Sequence, residues 1–119
     1  CRSSPSMLTI FAEFCGGGSL FDLLHNSTVE LEASQQFKML RGVAGAMEFL
    51  HEYQPRIIHR DLKSLNLLLT EPVVVGLAMP SLKLCDFGSA RAVKRDTKRR
   101  AMTKNVGTSH WMAPEMKSG

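Results

Sequence analysis

A polar stretch between two short apolar runs sets the strongest limit on how this chain can fold. Residues 59–66 contain a histidine, an aspartate, two cations and an asparagine. Ile57 and Ile58 precede this stretch, and the leucines 67–69 follow it. Such apolar runs predict two short buried strands, so the polar residues between them form a loop held at both ends. Loops of this kind on a rigid scaffold often carry binding or catalytic side chains.

A second acidic position follows another strand-like segment. Residues 82–85 alternate leucine with lysine and cysteine, and Asp86 comes directly after them. Asp61 can accept a proton from a hydroxyl group, and Lys63 can neutralise charge on a moving phosphoryl group. Asn66 and Asp86 offer oxygen atoms, the ligands that Mg²⁺ prefers. These residues together indicate metal-assisted phosphoryl transfer.

The order of these segments resembles the protein kinases. Residues 59–66 resemble the catalytic loop of that family, and the Asp-Phe-Gly triplet at 86–88 resembles its metal-binding triplet. A third landmark is residues 107–115, which end in Ala-Pro-Glu. Lys63, two residues after the acid, is typical of serine/threonine kinases. The sequence of residues 107–115 is similar to the corresponding segment of the tyrosine-kinase-like group of those enzymes.

This resemblance implies an α+β, protein-kinase-like fold that is present only in part. Residues 1–119 would form a partial kinase domain that covers the hinge and the front part of the large C-terminal lobe. The hinge is expected at about residues 13–18, the catalytic loop at 59–66 and the activation segment at 86–115. The small N-terminal lobe and the rest of the large lobe are expected to lie outside these residues, so the isolated chain should be inactive.

The resemblance also implies a nucleotide site. By alignment with the family's hinge, Ala12 gates the pocket behind the adenine, and the backbone groups of Glu13 and Cys15 meet the adenine edge. Leu68 lies under the adenine ring. Cys85 borders the pocket, where an electrophile could alkylate its thiol. A small residue at position 12 predicts an unusually open pocket.

The implied activity is that of an ATP- and Mg²⁺-dependent protein serine/threonine kinase in a signalling cascade. Asp61 would orient the substrate hydroxyl and take its proton, while Thr108 would bond Asp61 and Lys63. His59 and Phe87 would stack on each other, and Gly88 would permit the turn that aims the preceding aspartate inward. Two alternatives stay open: a pseudokinase scaffold, or a truncated fragment that only binds a partner.

Periodicity and turn residues predict the remaining elements. A buried strand is expected over residues 7–14, and a short helix capped by Ser19 over residues 20–25. A longer helix is expected over residues 33–53, with an apolar stripe formed by Phe37, Leu40, Ala44, Met47 and Leu50.

The segment between the strands at 67–69 and 82–85 departs from the kinase pattern. Kinases return in a tight hairpin, whereas residues 70–81 contain two prolines around a hydrophobic stretch with a central glycine. We expect an extended hairpin tip or a flexible loop whose apolar residues dock on the rest of the protein.

Residues 89–112 resemble an activation loop and are strongly basic. They carry seven Lys/Arg side chains against one aspartate, although the whole chain has a net charge of only +4. Mutual repulsion predicts disorder before phosphorylation. An upstream kinase acting on Thr97, Thr103, Thr108 or Ser109 would introduce a phosphate that these cations and Arg60 could bind. Nucleic-acid binding is not indicated, because no interleaved aromatic residues accompany the charge.

Cysteine usage and hydropathy bear on location. Cys1, Cys15 and Cys85 are an odd number without metal-ligand spacing, which favours a reducing cytoplasm. No apolar run approaches the roughly 20 residues that cross a bilayer, so no membrane contact is evident. The expected partners are protein substrates and the upstream kinase.

Overall fold

The chain was analysed as a computed structural model, which describes residues 9–74, 77, 79–93 and 106–117. In order, these residues form α1 (Leu20–Leu24), α2 (Ala33–Glu52), β1 (Arg56–Ile58), β2 (Leu67–Leu69), β3 (Leu82–Leu84), β4 (Arg91–Val93) and α3 (Pro114–Lys117). Single 3₁₀ turns lie at Ser64–Asn66, Phe87–Ser89 and Ser109–Trp111. The mixture of helices with antiparallel strands is the α+β arrangement that the sequence predicts.

The strands pair in two antiparallel ribbons that lie on either side of the polar loop. Strand β1 pairs with β4, with Ile57 opposite Ala92, and β2 pairs with β3, with Leu68 opposite Lys83. The polar loop at 59–66 therefore runs from one ribbon to the other. Both expected strands around this loop are confirmed, although Ile57 and Ile58 are only half-buried.

A small apolar core lies between the helices and the β2–β3 ribbon. Helix α2 contacts β1 and β3, and α1 contacts β2. Ser19 caps α1 as predicted, because its hydroxyl accepts a hydrogen bond from the Asp22 N–H while the Asp22 carboxylate accepts one from the Ser19 N–H. The core consists of Leu20, Leu23, Met39, Leu67, Leu69 and Met79.

The predicted strand over residues 7–14 is wrong for its described part. Residues 9–14 form no strand, and the side chains of Ile10, Phe11 and Phe14 are between 83% and 93% exposed. A strand needs a neighbour that pairs with its N–H and C=O groups, and no described segment makes backbone hydrogen bonds with residues 9–14. Met7 and Leu8 lie outside the described residues.

The helix at 33–53 is confirmed, but only part of its predicted apolar stripe is buried. Phe37 and Leu40 are 72% and 68% exposed, whereas Met39 and Leu50 are buried and Val43 packs against the core. Helix α2 has apolar residues on two faces. Periodicity cannot tell which face the chain covers, and β1 and β3 lie on the side of Met39 and Leu50.

The connection at 70–81 is attached to the core at two of its described residues. Met79 is buried among the core residues, and Val73 packs against them. The ammonium group of Lys38 on α2 donates a hydrogen bond to the Met79 carbonyl oxygen at 2.5 Å. The expectation that these apolar residues dock on a missing part of the protein is therefore wrong for Met79, which docks on this chain's own core.

Candidate active site

Two of the hinge-like glycines are anchored by backbone contacts to the end of β2 and the residue after it. The N–H groups of Gly16 and Gly17 donate to the carbonyl oxygens of Thr70 and Leu69, at 3.1 and 3.0 Å. A Cβ atom on Gly17 would overlap the Glu71 carbonyl oxygen, so only glycine permits this approach. The chain from residue 12 to residue 15 is thereby held beside β2.

An open cleft of about 720 Å³ lies between this segment and the β2–β3 ribbon. Every residue that the resemblance assigns to the nucleotide lines it, with Asp86 at one end: Ala12, Glu13, Cys15, Leu68, Cys85 and Asp86. Among the described residues, the backbone groups of Glu13 and Cys15 make no hydrogen bond with other backbone groups. The Glu13 carboxylate pairs with Lys83 across the cleft at 3.2 Å.

Burial affects the chemistry of Cys85. It raises the pKa of the Cys85 thiol, and the neighbouring Asp86 carboxylate and Cys15 raise it further. The thiolate, which is the nucleophilic form, is therefore scarce at neutral pH. Cys85 borders the cleft as expected, but its thiol is not activated.

Asp61 lies at the centre of a hydrogen-bonded cluster in the polar loop. Its Oδ1 accepts hydrogen bonds from the Thr108 N–H at 2.8 Å and from the Thr108 hydroxyl at 2.7 Å. Its Oδ2 contacts the Lys63 ammonium nitrogen at 2.9 Å and accepts from the Asn66 amide nitrogen at 3.2 Å. Lys63 also donates to the Thr108 hydroxyl at 2.7 Å. The sequence predicted this grouping of Asp61, Lys63 and Thr108.

These contacts keep Asp61 ionised. The side chains of Lys63 and Asp61 are only 16% and 11% exposed, so solvent screens their interaction less than at an open surface. The hydrogen bond from Lys63, followed by that from Thr108, lowers the pKa of Asp61 to about 2. At neutral pH, Asp61 is a fixed negative charge with both oxygens already bonded.

Asn66 connects the Asp61 cluster to the cleft. Its side-chain nitrogen also donates to the backbone carbonyl oxygen of Asp61 at 2.9 Å. The backbone carbonyl oxygen of Asn66 accepts a hydrogen bond from the Cys85 N–H at 2.9 Å. Among the described residues, no group donates to the side-chain oxygen of Asn66. The two predicted metal ligands, Asn66 and Asp86, therefore belong to loops that are bonded to each other.

The donor chemistry of Asn66 and Asp86 suits Mg²⁺. In the described part of the chain, no three His, Cys, Asp or Glu side chains are grouped closely enough to form a metal cage by themselves. Mg²⁺ does not require such a cage, because it commonly binds one or two protein oxygen ligands together with phosphates and waters. One carboxylate and one amide oxygen beside a cleft meet that description.

His59 and Phe87 pack against the loop that carries Cys85 and Asp86. The His59 side chain is fully buried, and its Nε2 is 3.0 Å from the Cys85 carbonyl oxygen. Its ring contacts Phe87 edge-to-face, with ring centroids 5.0 Å apart. The predicted contact between these two rings is confirmed, although the rings meet edge-to-face and do not stack in parallel.

Backbone geometry differs from the expectation at the Asp-Phe-Gly triplet. The residue in the left-handed region is Asp86, with φ 60°, and not Gly88. The Gly88 N–H donates to the Asp86 carboxylate at 3.2 Å. The positive φ of this turn therefore belongs to the aspartate, which tolerates the conformation through local hydrogen bonding. A Cβ atom on Gly88 would lie 3.2 Å from Asp86 Oδ1, so a glycine there still favours the turn.

Sequence reasoning missed the part that Gly107 plays. This residue has φ 114°, and a Cβ atom there would overlap the Arg60 carbonyl oxygen. Arg60 also lies in the left-handed region, with φ 66°, and its side chain donates to the Ser89 carbonyl oxygen. Gly107 thus lets the chain bring Thr108 against Asp61. A glycine immediately before the predicted threonine was the available signal.

Part of the activation-loop prediction lies outside the described residues. Thr97, Thr103 and the basic run at 94–105 belong to that part. Thr108 and Ser109 are described, and only Thr108 is bonded to Asp61. Among the described helices, none is long and apolar enough to span a bilayer.

Comparison with known proteins gives a consistent result. The family model described as "Protein kinase domain" matches residues 1–118. The chain is 42% identical over 114 residues to serine/threonine-protein kinase STY46 of Arabidopsis thaliana, covering 96% of this chain and 18% of that protein. It is 39% identical over 116 residues to serine/threonine-protein kinase TNNI3K of Homo sapiens, covering 98% of this chain and 13% of that protein. The chain thus spans less than a fifth of these curated relatives.

Proposed function

Because the chain belongs to the protein kinase domain family, we propose that it is part of an enzyme that transfers the terminal phosphoryl group of ATP to serine and threonine hydroxyl groups of proteins. The names of its relatives support serine and threonine as acceptors. The observation that carries the proposal is the cluster of Asp61, Lys63 and Thr108, bonded through Asn66 to the floor of a nucleotide-sized cleft.

In this proposal Asp61 orients the substrate hydroxyl. With a pKa of about 2, its carboxylate is a weak base in the ground state. It accepts the proton late, once the new bond to phosphorus has made the hydroxyl group acidic and the bond to the leaving diphosphate is breaking. Lys63 lies beside Asp61 and balances the negative charge on the transferred group. Thr108 fixes both side chains in one geometry.

The cleft would hold the nucleotide. The backbone groups of Glu13 and Cys15, which bond no other backbone group in the described part of the chain, would bond the adenine edge, and Leu68 would contact the ring face. Ala12 leaves the adjacent wall of the cleft open because its side chain is a single methyl group. Cys85 completes the wall next to Asp86.

Asn66 and Asp86 would hold the metal ion near the nucleotide phosphates. Mg²⁺ supplies charge neutralisation to those phosphates when it is bound. The amide nitrogen of Asn66 is committed to Asp61, which leaves its oxygen for the cation. The Cys85–Asn66 backbone bond places the two loops that carry these ligands next to each other.

Two finer proposals concern regulation and location. Phosphorylation of residues 89–112 by an upstream kinase would place charge near Arg60 and the basic residues of that segment. The free thiols of Cys15 and Cys85 support a cytoplasmic location.

Phosphoryl transfer by the full-length protein tests the proposal. Radiolabelled Mg-ATP would be incubated with serine-, threonine- and tyrosine-containing peptides, using wild type and an Asp61→Asn variant. We expect labelling of serine and threonine peptides that the variant loses, while both proteins are stabilised equally by Mg-ATP in a thermal shift assay. ATP binding with no transfer in the wild type would instead indicate a pseudokinase scaffold.

A further inference from the structure

A second groove lies on the opposite flank of β3 and shares no lining residue with the nucleotide-sized cleft. It is open, has a volume of about 450 Å³, and runs between α2 and the end of the long β2–β3 connection. The connection is the segment where the sequence departs from a tight hairpin. The residues used below to characterise the groove are Lys38, Met39, Arg41, Pro80, Ser81 and Leu82.

The wall formed by the connection is fixed in place. Met79 is 4% exposed and belongs to the core, and its carbonyl oxygen accepts the hydrogen bond from Lys38. Leu82 then enters β3, which is paired with β2. Both walls are therefore attached to packed elements, and a ligand would not have to order them on binding.

The groove combines positive charge with an apolar floor. Lys38 and Arg41 are its charged residues, and none of the described residues that line it is acidic. Among the described residues, no group forms an ion pair with Arg41. Pro80 and Leu82 are half-buried and supply apolar surface beside the two cations, and Met39 lies beneath them at 6% exposure. An occupant must therefore present carboxylates next to an apolar side chain.

We propose that this groove is a docking site for an acidic linear segment of a partner protein. A carboxylate of the segment pairs with Arg41, and an apolar side chain of the segment lies against Leu82 and Pro80. A nucleic acid also carries negative charge, but the lining residues that the structure describes include no aromatic side chain on which a base could stack. The charge and the apolar floor together favour a peptide. The proposal does not depend on phosphoryl transfer.

Fluorescence anisotropy with the full-length protein tests the docking site. The probe is a short fluorescein-labelled peptide of alternating glutamate and leucine, and its matched control replaces each glutamate with glutamine. We expect the glutamate peptide to bind at least about fivefold more tightly, with the difference shrinking as salt is raised from about 0.05 to 0.5 M. The Arg41→Glu variant should weaken the glutamate peptide by about tenfold.

A charge reversal elsewhere provides the control. Lys117 is an exposed cation at the end of α3, outside the groove, so Lys117→Glu should leave peptide binding unchanged. Ser81→Glu places an acid inside the groove without touching a cation, and it should weaken binding even if the Arg41 variant fails to fold. Equal binding of both peptides, an equal loss in the Lys117 variant, or tighter binding of a single-stranded RNA oligomer of the same length would overturn the proposal.

Discussion

Removing the Thr108 hydroxyl should show how much activity depends on the way Asp61 is held in place, because the Asp61 carboxylate itself remains. Valine has nearly the same shape as threonine, and the backbone N–H of residue 108 would still donate to Asp61 Oδ1. The hydroxyl itself makes two contacts of 2.7 Å, one to the Asp61 carboxylate and one from the Lys63 ammonium group. Thr108→Val deletes both contacts and leaves the direct pair between Lys63 and Asp61.

The size of the effect follows from the charge on the partners. A hydrogen bond to a charged group makes a net contribution of about 1.5–3 kcal/mol. Here each charged partner retains other contacts, so we count one such bond and not two. A loss of that size in the transition state corresponds to a roughly 10- to 150-fold decrease in kcat/KM. We expect the decrease mainly in kcat, because the hydroxyl does not line the nucleotide-sized cleft.

The assay is steady-state peptide phosphorylation by the full-length protein. Thr108→Ser keeps the hydroxyl and serves as the matched control, with activity expected within about threefold of wild type. In a double-mutant cycle with Lys63→Met, the combined variant should lose much less than the two single losses added, because both residues act on Asp61. Wild-type kcat in Thr108→Val, or an equal loss in Thr108→Ser, would refute the reasoning.

Three further predictions concern the glycines and the cleft. Gly17→Ala should destabilise the protein by about 1–3 kcal/mol, because its Cβ would overlap the Glu71 carbonyl oxygen. Gly45→Ala has open space around the new Cβ and should stabilise α2 by up to about 1 kcal/mol. Equal melting temperatures of the two variants would contradict this prediction. Ala12→Met should fill the open wall of the cleft and abolish binding of bulky inhibitors that need a small residue there, measured as inhibition constants; unchanged inhibition would disprove the assignment. Alkylation of Cys85 should be slow at pH 7, accelerate up to pH 9 and beyond because its pKa is raised, and be suppressed by Mg-ATP; mass spectrometry showing no protection would count against its place in the cleft.

The sequence predicted the site better than it predicted the packing. Few sites other than a phosphoryl-transfer site need the side chains of three segments in this order along the chain: residues 59–66, 86–88 and 107–115. The structure brings Asp61, Lys63 and Thr108 into contact. Polar side chains at a site have specific partners, so their identity limits their positions. Asn66 and Cys85 are linked by a backbone hydrogen bond, which does not depend on the identity of either side chain. The sequence therefore could not predict this link.

The missed features depend on which surfaces are covered. Phe37 and Leu40 repeat at helical spacing as clearly as Met39 and Leu50 do, and only tertiary contacts decide which face is buried. Residues 9–14 have the composition of a strand but no described neighbour to pair with. For Met79, one apolar residue among several in an irregular connection, no periodic pattern existed to identify it as core.

Cys85 is held at both of its backbone groups, its N–H by the Asn66 carbonyl oxygen and its C=O by His59. Rotation that moves the Asp86 carboxylate therefore has to begin at the bonds following the Cys85 carbonyl carbon. His59 and Asn66 can remain stationary during such a rotation. The Asp86 carboxylate could then leave the metal site and return while Asp61 keeps its alignment. Metal binding and proton acceptance can therefore be controlled independently.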